Sequence, residues 1–288
     1  MRTYQKILSL CLAALTTTAL AAPPAGWPAK LVMGIVPTES SSHQTERWDG
    51  LADHLAKTLG IPVELKNSSD YAGVITAMQF KHVDIAYFGP KSYVEAAARA
   101  NAECLAVELG ADGTPGYHGL IISKKGSTIN SLEAAKGKVW AFVDPNSTSG
   151  TLVPTIYLVK ERKIDPQTYF SKVLYSGTHE ASMLSVKTGK VDIASTNDLD
   201  MARGEGKMWN KDKDFQILWT SPLIPGSPMA VRKDLPATLK KALSDALLGL
   251  KDPAVLGALK IKGYVKADDK TYDPTREQIE FKKALDKK

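Results

Sequence analysis

Apolar residues along this chain fall into short continuous runs that alternate with longer amphipathic stretches. Residues 30–36 form one such run and are expected to be a buried strand, followed by the loop Pro37-Thr38-Glu39-Ser40. Trp48, Leu51, Leu55 and Leu59 keep helical spacing, and Gly60 is the expected stop. Residues 63–65 read as a second strand, 71–80 as a helix and 83–88 as a third strand. Alternation at this length predicts an α/β fold, with parallel-type sheets and flanking helices.

The same order then begins again. Residues 138–143 predict a strand, 151–161 and 179–188 helices, and 191–195 another strand. The tetrapeptide Val-Asp-Ile-Ala occurs at 83–86 and at 191–194, each time after a helix that ends in a polar turn. That offset of 108 residues sets Tyr71 opposite His179. Two lobes of one architecture, face to face, would produce this pattern. Later come strands at 215–219 and 229–232, separated by the turn-rich segment 221–228, an amphipathic stretch at 239–250, and a charged, helical tail after Asp273-Pro274. The chain is expected to cross between lobes near 120–123 and to return near 219–223. Lobe 1 would then comprise residues 22–121 plus 220–288, and lobe 2 residues 122–219. A hinge would join them, and a cleft would lie at the carboxyl ends of the strands.

Residues 1–21 read as a signal peptide. Arg2 and Lys6 precede an apolar stretch, and Ala19-Leu20-Ala21 fits a small-x-small cleavage site. The stretch is too short and too rich in threonine for a membrane span. Removing it also removes Cys11, so Cys104 is the single remaining thiol and a disulfide framework is not expected. Net charge is +6, or +4 once Arg2 and Lys6 are gone. The lysines are scattered and lack interleaved aromatics, which argues against a nucleic-acid surface and for a mild bias toward anions.

Asp144-Pro145-Asn146-Ser147-Thr148-Ser149-Gly150 carries the most chemistry. It follows a strand and opens a helix, where the first backbone N–H groups lack partners and the dipole is positive. A single hydroxyl there is an ordinary cap, whereas three in succession suit a tetrahedral oxyanion. Tyr117 follows a tight turn, Gly113-Thr114-Pro115-Gly116, and presents an aromatic hydroxyl that serves packing or ligand. His179, at a helix start, would donate to an anion, the more strongly if protonated. No phosphate-binding glycine loop of nucleotide enzymes is present, and His43, His54, His82 and His118 show no metal-ligand spacing. No cofactor or metal is expected. Ser147, His179 and Asp198 have the residue types of a nucleophilic triad, but Ser147 is not in a Gly-x-Ser-x-Gly elbow. A secreted phosphoester hydrolase is therefore the alternative of a different class.

Taken together, residues 34–40, 70–73, 83–86, 112–117, 144–150, His179-Glu180 and 221–226 resemble the periplasmic phosphonate-binding proteins of ABC importers, a family with the type II solute-binding fold. The resemblance implies a non-enzymatic, monomeric binding protein of the periplasm that works with an ABC permease and its ATPase. It implies that phosphonate or phosphite oxygens are held by Ser147, Thr148 and Ser149, with Tyr117 and His179 as further donors and Tyr71 lining the other side. Members that bind aminoethyl-phosphonates resemble one another in placing carboxylates at two later positions, which here fall on Leu199 and Ser227. Asp198, one residue away, is the candidate replacement. A ligand without an amine is expected on that ground, since a buried ammonium without a carboxylate is costly. Another tetrahedral oxyanion, such as phosphate or sulfonate, is the alternative within the class.

Overall fold

The structure is a computed structural model that describes residues 24–287. The expected signal peptide lies outside the described residues. Among the described residues, eleven strands make two sheets. The first sheet holds β1 (Leu31–Ile35), β2 (Val63–Lys66), β3 (Ile85–Tyr87) and β4 (Ala102–Leu109). The second holds β5 (Gly116–Lys124), β6 (Val139–Phe142), β7 (Lys172–Tyr175), β8 (Ile193–Asn197) and β9 (Phe215–Pro225). The chain then returns to the first sheet with β10 (Pro228–Arg232) and β11 (Gly263–Lys266). Strand orders are β11-β4-β10-β3-β1-β2 and β7-β6-β8-β5-β9.

Helices pack around both sheets. They are α1 (Ser41–Leu59), α2 (Tyr71–Gln79), α3 (Pro90–Ala100), α4 (Val153–Ile156), α5 (Pro166–Tyr169), α6 (His179–Lys187), α7 (Asp198–Gly204) and α8 (Lys211–Asp214), then α9 (Ala237–Leu248), α10 (Pro253–Leu259) and α11 (Asp273–Asp286). The apolar stripe of α1 is buried at Trp48, Leu51, Leu55 and Leu59, and Gly60 ends the helix at φ 70°. None of the described helices is long and apolar enough to cross a membrane.

The repeat has a physical basis. In each sheet the aspartate of Val-Asp-Ile-Ala reaches the first strand: Asp84 Oδ2 accepts from Val32 N, and Asp192 Oδ2 from Val139 N, both at 2.8 Å. Each aspartate therefore satisfies a strand-end amide and fixes the register of a parallel pair, β1–β3 in one sheet and β6–β8 in the other. The equivalent helices α2 and α6 carry matched caps: Asp70 accepts from Gly73 N and Thr178 from Ala181 N.

Two details of strand pairing add to the expected architecture. The sheets are parallel only across β2-β1-β3 and β7-β6-β8, because β10 and β5 insert antiparallel beside β3 and β8. The expected crossings near 120–123 and 219–223 fall inside strands of the second sheet. β5 and β9 pair from Gly116↔Pro225 to Lys124↔Phe215, so this ribbon keeps the chain in the second sheet. The passage between sheets lies at 110–115, and the return at 226–227.

Candidate ligand-binding site

Five helical starts converge between the sheets. Tyr71 opens α2, Gly89 caps α3, Ser147 caps a π-helical turn (Thr148–Leu152), His179 opens α6, and Asn197 caps α7. All of these residues line one small cavity between the sheets. Unpaired N–H groups and positive dipole ends therefore surround it from both sheets.

The π-helical turn follows from its sequence. Pro154 has no N–H to offer the Gly150 carbonyl, which accepts from Val143 N at 3.2 Å instead. The turn widens, and Leu152 N bonds Ser147 O at 3.1 Å. Widening lays three buried hydroxyls along the cavity, each already accepting from the protein. Ser147 Oγ accepts from Gly150 N at 3.0 Å, Thr148 Oγ1 from Lys91 N at 2.9 Å, and Ser149 Oγ from Asn197 Nδ2 at 3.3 Å. With the acceptor side of each hydroxyl engaged, its proton is left to donate. Lys91 belongs to α3, so the Thr148 bond joins the two sheets.

Tyr71 and Tyr117 add phenols, Tyr71 beside Ser147 and Tyr117 beside Ser149 and Thr148. Burial pushes both phenols well above their usual range, so they stay protonated donors. His179 is buried, with Nε2 3.5 Å from Ser147 Oγ and Nδ1 3.3 Å from Thr196 Oγ1. Burial lowers its pKa despite the Asp200 carboxylate 3.8 Å away, which disfavours the protonated ring.

Behind the hydroxyls lies a charge network that the sequence reading missed. Arg203 donates to Asp200 Oδ1 at 2.9 Å and reaches Glu108 Oε2 at 3.4 Å and the Tyr87 hydroxyl at 3.3 Å. Tyr87 in turn donates to Glu108 Oε1 at 2.8 Å. Burial opposes ionisation of Asp200, but its neighbours His179 and Arg203 outweigh that and hold it below the usual carboxylate range. Burial raises Glu108 more than Arg203 lowers it. Arg203 lines the cavity, and its buried Nε–H has no hydrogen-bond partner among the described residues. Asp200 and Arg203 sit at helical spacing on α7, a signal visible in the sequence but not distinguishable there from a surface ion pair.

Six of the seven expected residues meet in the cavity: Tyr71, Tyr117, Ser147, Thr148, Ser149 and His179. Asp198 does not. Its Oδ1 accepts from His118 N at 3.0 Å, tying α7 to β5. Leu199 and Ser227 do line the cavity, and Asp200 is the one carboxylate in its wall. Both oxygens of Asp200 are already engaged, one by Arg203 and one by Asn197.

A profile of the family described as ABC transporter, phosphonate, periplasmic substrate-binding protein matches residues 33–272. The chain belongs to this family. It is 36% identical over 260 residues to the phosphonates-binding periplasmic protein of Escherichia coli, covering 88% of this chain and 76% of that one. It is 32% identical over 225 residues to the phosphate-import protein PhnD of Mycolicibacterium smegmatis, covering 73% of this chain and 68% of that one. Among solved structures it is similar to a binding protein component of an ABC phosphonate transporter from Pseudomonas aeruginosa, with TM-score 0.84, 35% identity, and coverage of 89% and 87% of the two chains. A Prochlorococcus marinus protein solved with methylphosphonate shares the fold at TM-score 0.78 and 22% identity, with coverage of 87% and 97%. The two-lobed type II binding-protein fold and a phosphonate-binding role in an ABC importer are thereby established for this chain.

Proposed function

We propose that this protein captures a small phosphorus oxyanion without an amine, such as methylphosphonate or phosphite, in the cavity between its sheets. The observation that carries the reading is the hydroxyl triad: Ser147, Thr148 and Ser149 each accept from the protein and keep a proton to give. Charge-assisted hydrogen bonds of this kind are the strong ones, and burial strengthens them further. Tyr71 and Tyr117 complete the donor set, with His179 as a neutral donor or acceptor according to its tautomer.

The exclusion of an amine rests on the wall opposite. Leu199 and Ser227 are uncharged, and Asp200 is committed to Arg203 and Asn197. An ammonium there would be desolvated without compensation. Phosphate is the second reading. It is favoured by the M. smegmatis relative, which is named for phosphate import. Isothermal titration calorimetry with methylphosphonate, phosphite, phosphate and 2-aminoethylphosphonate tests the choice. Micromolar or tighter binding of the first two is expected, with the aminoethyl ligand at least about tenfold weaker. The reverse ranking would overturn the assignment.

The lobes are taken to divide as the sheets do, hinging at 110–115 and 226–227. Donors from both lobes meet only when they close, so ligand shifts the balance toward closure. The protein would act as a monomer in the periplasm and deliver ligand to a permease driven by an ATPase. It would not be an enzyme: Ser147 Oγ is occupied by Gly150 N and lies 3.5 Å from His179 Nε2, a poor geometry for activating a nucleophile.

A further inference from the structure

Next to the ligand donor His179, a second set of contacts joins the two lobes. Glu180 is the second residue of α6. Its backbone N–H donates to Thr38 O at 3.0 Å, and Thr38 lines the cavity. Its Oε2 accepts from Ser40 N at 3.2 Å and lies 2.9 Å from His43 Nδ1. Thr38, Ser40 and His43 belong to the loop after β1 and to the first turn of α1, whereas Glu180 belongs to the second sheet's helix. One side chain thus ties the loop at the cavity wall to the helix that presents His179. None of these contacts could survive separation of the lobes.

We propose that His43 and Glu180 form a clasp that holds the lobes closed over the ligand, with Glu180 as a positioning residue for His179 and protonation of His43 tightening the clasp. The proposal rests on the reading of the cavity as the ligand site and adds a pH dependence to it.

The charges around His43 are favourable to a cation. Glu180 faces it from α6, Glu39 from the preceding loop and Glu46 from its own helix. Glu39 is also bound by Arg47, and Glu46 is 3.5 Å from Lys207, so Glu180 is the dominant partner. The hydrogen bond to Glu180 raises the His43 pKa, partly opposed by burial. In an open form that bond is absent and the ring returns to about 6.5. Closure therefore takes up a proton. The added stability is fully present below about pH 6.5 and is lost as pH rises through the closed-form value. The His43 side chain is 44% exposed, so solvent screens the pair and the gain in affinity is about two- to fivefold.

The test compares methylphosphonate affinity of the wild-type protein with His43→Gln across pH 5 to 8.5. Glutamine keeps a neutral hydrogen bond to Glu180 and does not titrate. The ligand and His179 titrate alike in both proteins, so the ratio isolates His43. The wild type should bind about two- to fivefold more tightly at pH 5.5, with the ratio approaching one above pH 8. Glu180→Gln, which retains an acceptor for Ser40 N, should flatten the wild-type advantage in the same way. A ratio independent of pH would overturn the clasp while leaving ligand binding intact. If methylphosphonate bound neither protein, the ligand assignment would fall instead. The clasp would then be judged by distances between spin labels at the exposed positions 57 and 190 of the ligand-free protein. Acid should shorten them in the wild type and not in His43→Gln, and equal behaviour would refute the proposal.

Discussion

Replacing Arg203 by methionine takes the cation out of a site where solvent cannot replace it. The Arg203 side chain is 3% exposed, Glu108 2% and Asp200 8%. Asp200 would keep the amide of Asn197, and Glu108 the Tyr87 hydroxyl. Stripping one partner from a buried ion pair costs about 3–5 kcal/mol. Proton uptake limits the cost, since protonating an ordinary carboxyl at pH 7 takes about 4 kcal/mol. Glu108, already raised by burial, is the group expected to take the proton. A carboxyl whose folded-state pKa is raised contributes stability that is present at low pH and lost as pH rises through the folded value. The variant should therefore lose about 3–5 kcal/mol at pH 7, and the gap to wild type should narrow by about 2–3 kcal/mol at pH 5. Urea unfolding followed by tryptophan fluorescence at both pH values measures this, with comparable m-values as the check on two-state behaviour. A loss under about 1 kcal/mol at pH 7, or a gap that fails to narrow, would refute the reasoning. Because Glu108 and Tyr87 belong to the first sheet and Arg203 to the second, ligand affinity should fall in the same variant.

Ser149→Ala removes one donor to a charged ligand and should weaken methylphosphonate binding by roughly tenfold or more in calorimetry, with little change in melting temperature. Gly150→Ala should abolish binding and destabilise the fold, because a Cβ there would lie 2.5 Å from Val143 Cβ and 2.7 Å from Ser147 Oγ; a thermal melt and a titration report both effects. Cys104 should resist thiol reagents in the native protein and react once denatured, since it is buried and burial pushes its thiol up to about 12.

Much of the fold was legible because its signals are local. The run 30–36, the stripe Trp48-Leu51-Leu55-Leu59 and the stop at Gly60 each became the expected element. The doubled Val-Asp-Ile-Ala marked equivalent points of two sheets because its aspartate does the same work in both. β4, β7 and β11 were not anticipated. β7 and β11 are only four residues long, and Glu103 and Glu108 interrupt the apolar run of β4. The lobe crossings were set within β5 and β9 because nothing in residues 120–123 or 219–223 distinguishes a hinge from the middle of a long ribbon.

The site was legible where residue type and helix start coincide, as at Ser147, Thr148, Ser149 and His179. It was illegible where function depends on direction. Asp198 and Asp200 differ by two positions on one helix, so one carboxylate caps β5 and the other meets Arg203 at the cavity. The π-helical turn was likewise hidden, since Pro154 reads as an ordinary first-turn proline until the carbonyl it leaves free is seen bonded to Val143.

A crystal structure of the protein grown with methylphosphonate tests the central claim most directly. The phosphonate oxygens should lie within hydrogen-bond distance of the Ser147, Thr148 and Ser149 hydroxyls, with the methyl group toward Leu199. A ligand bound elsewhere, with those three hydroxyls donating to protein groups, would contradict the account.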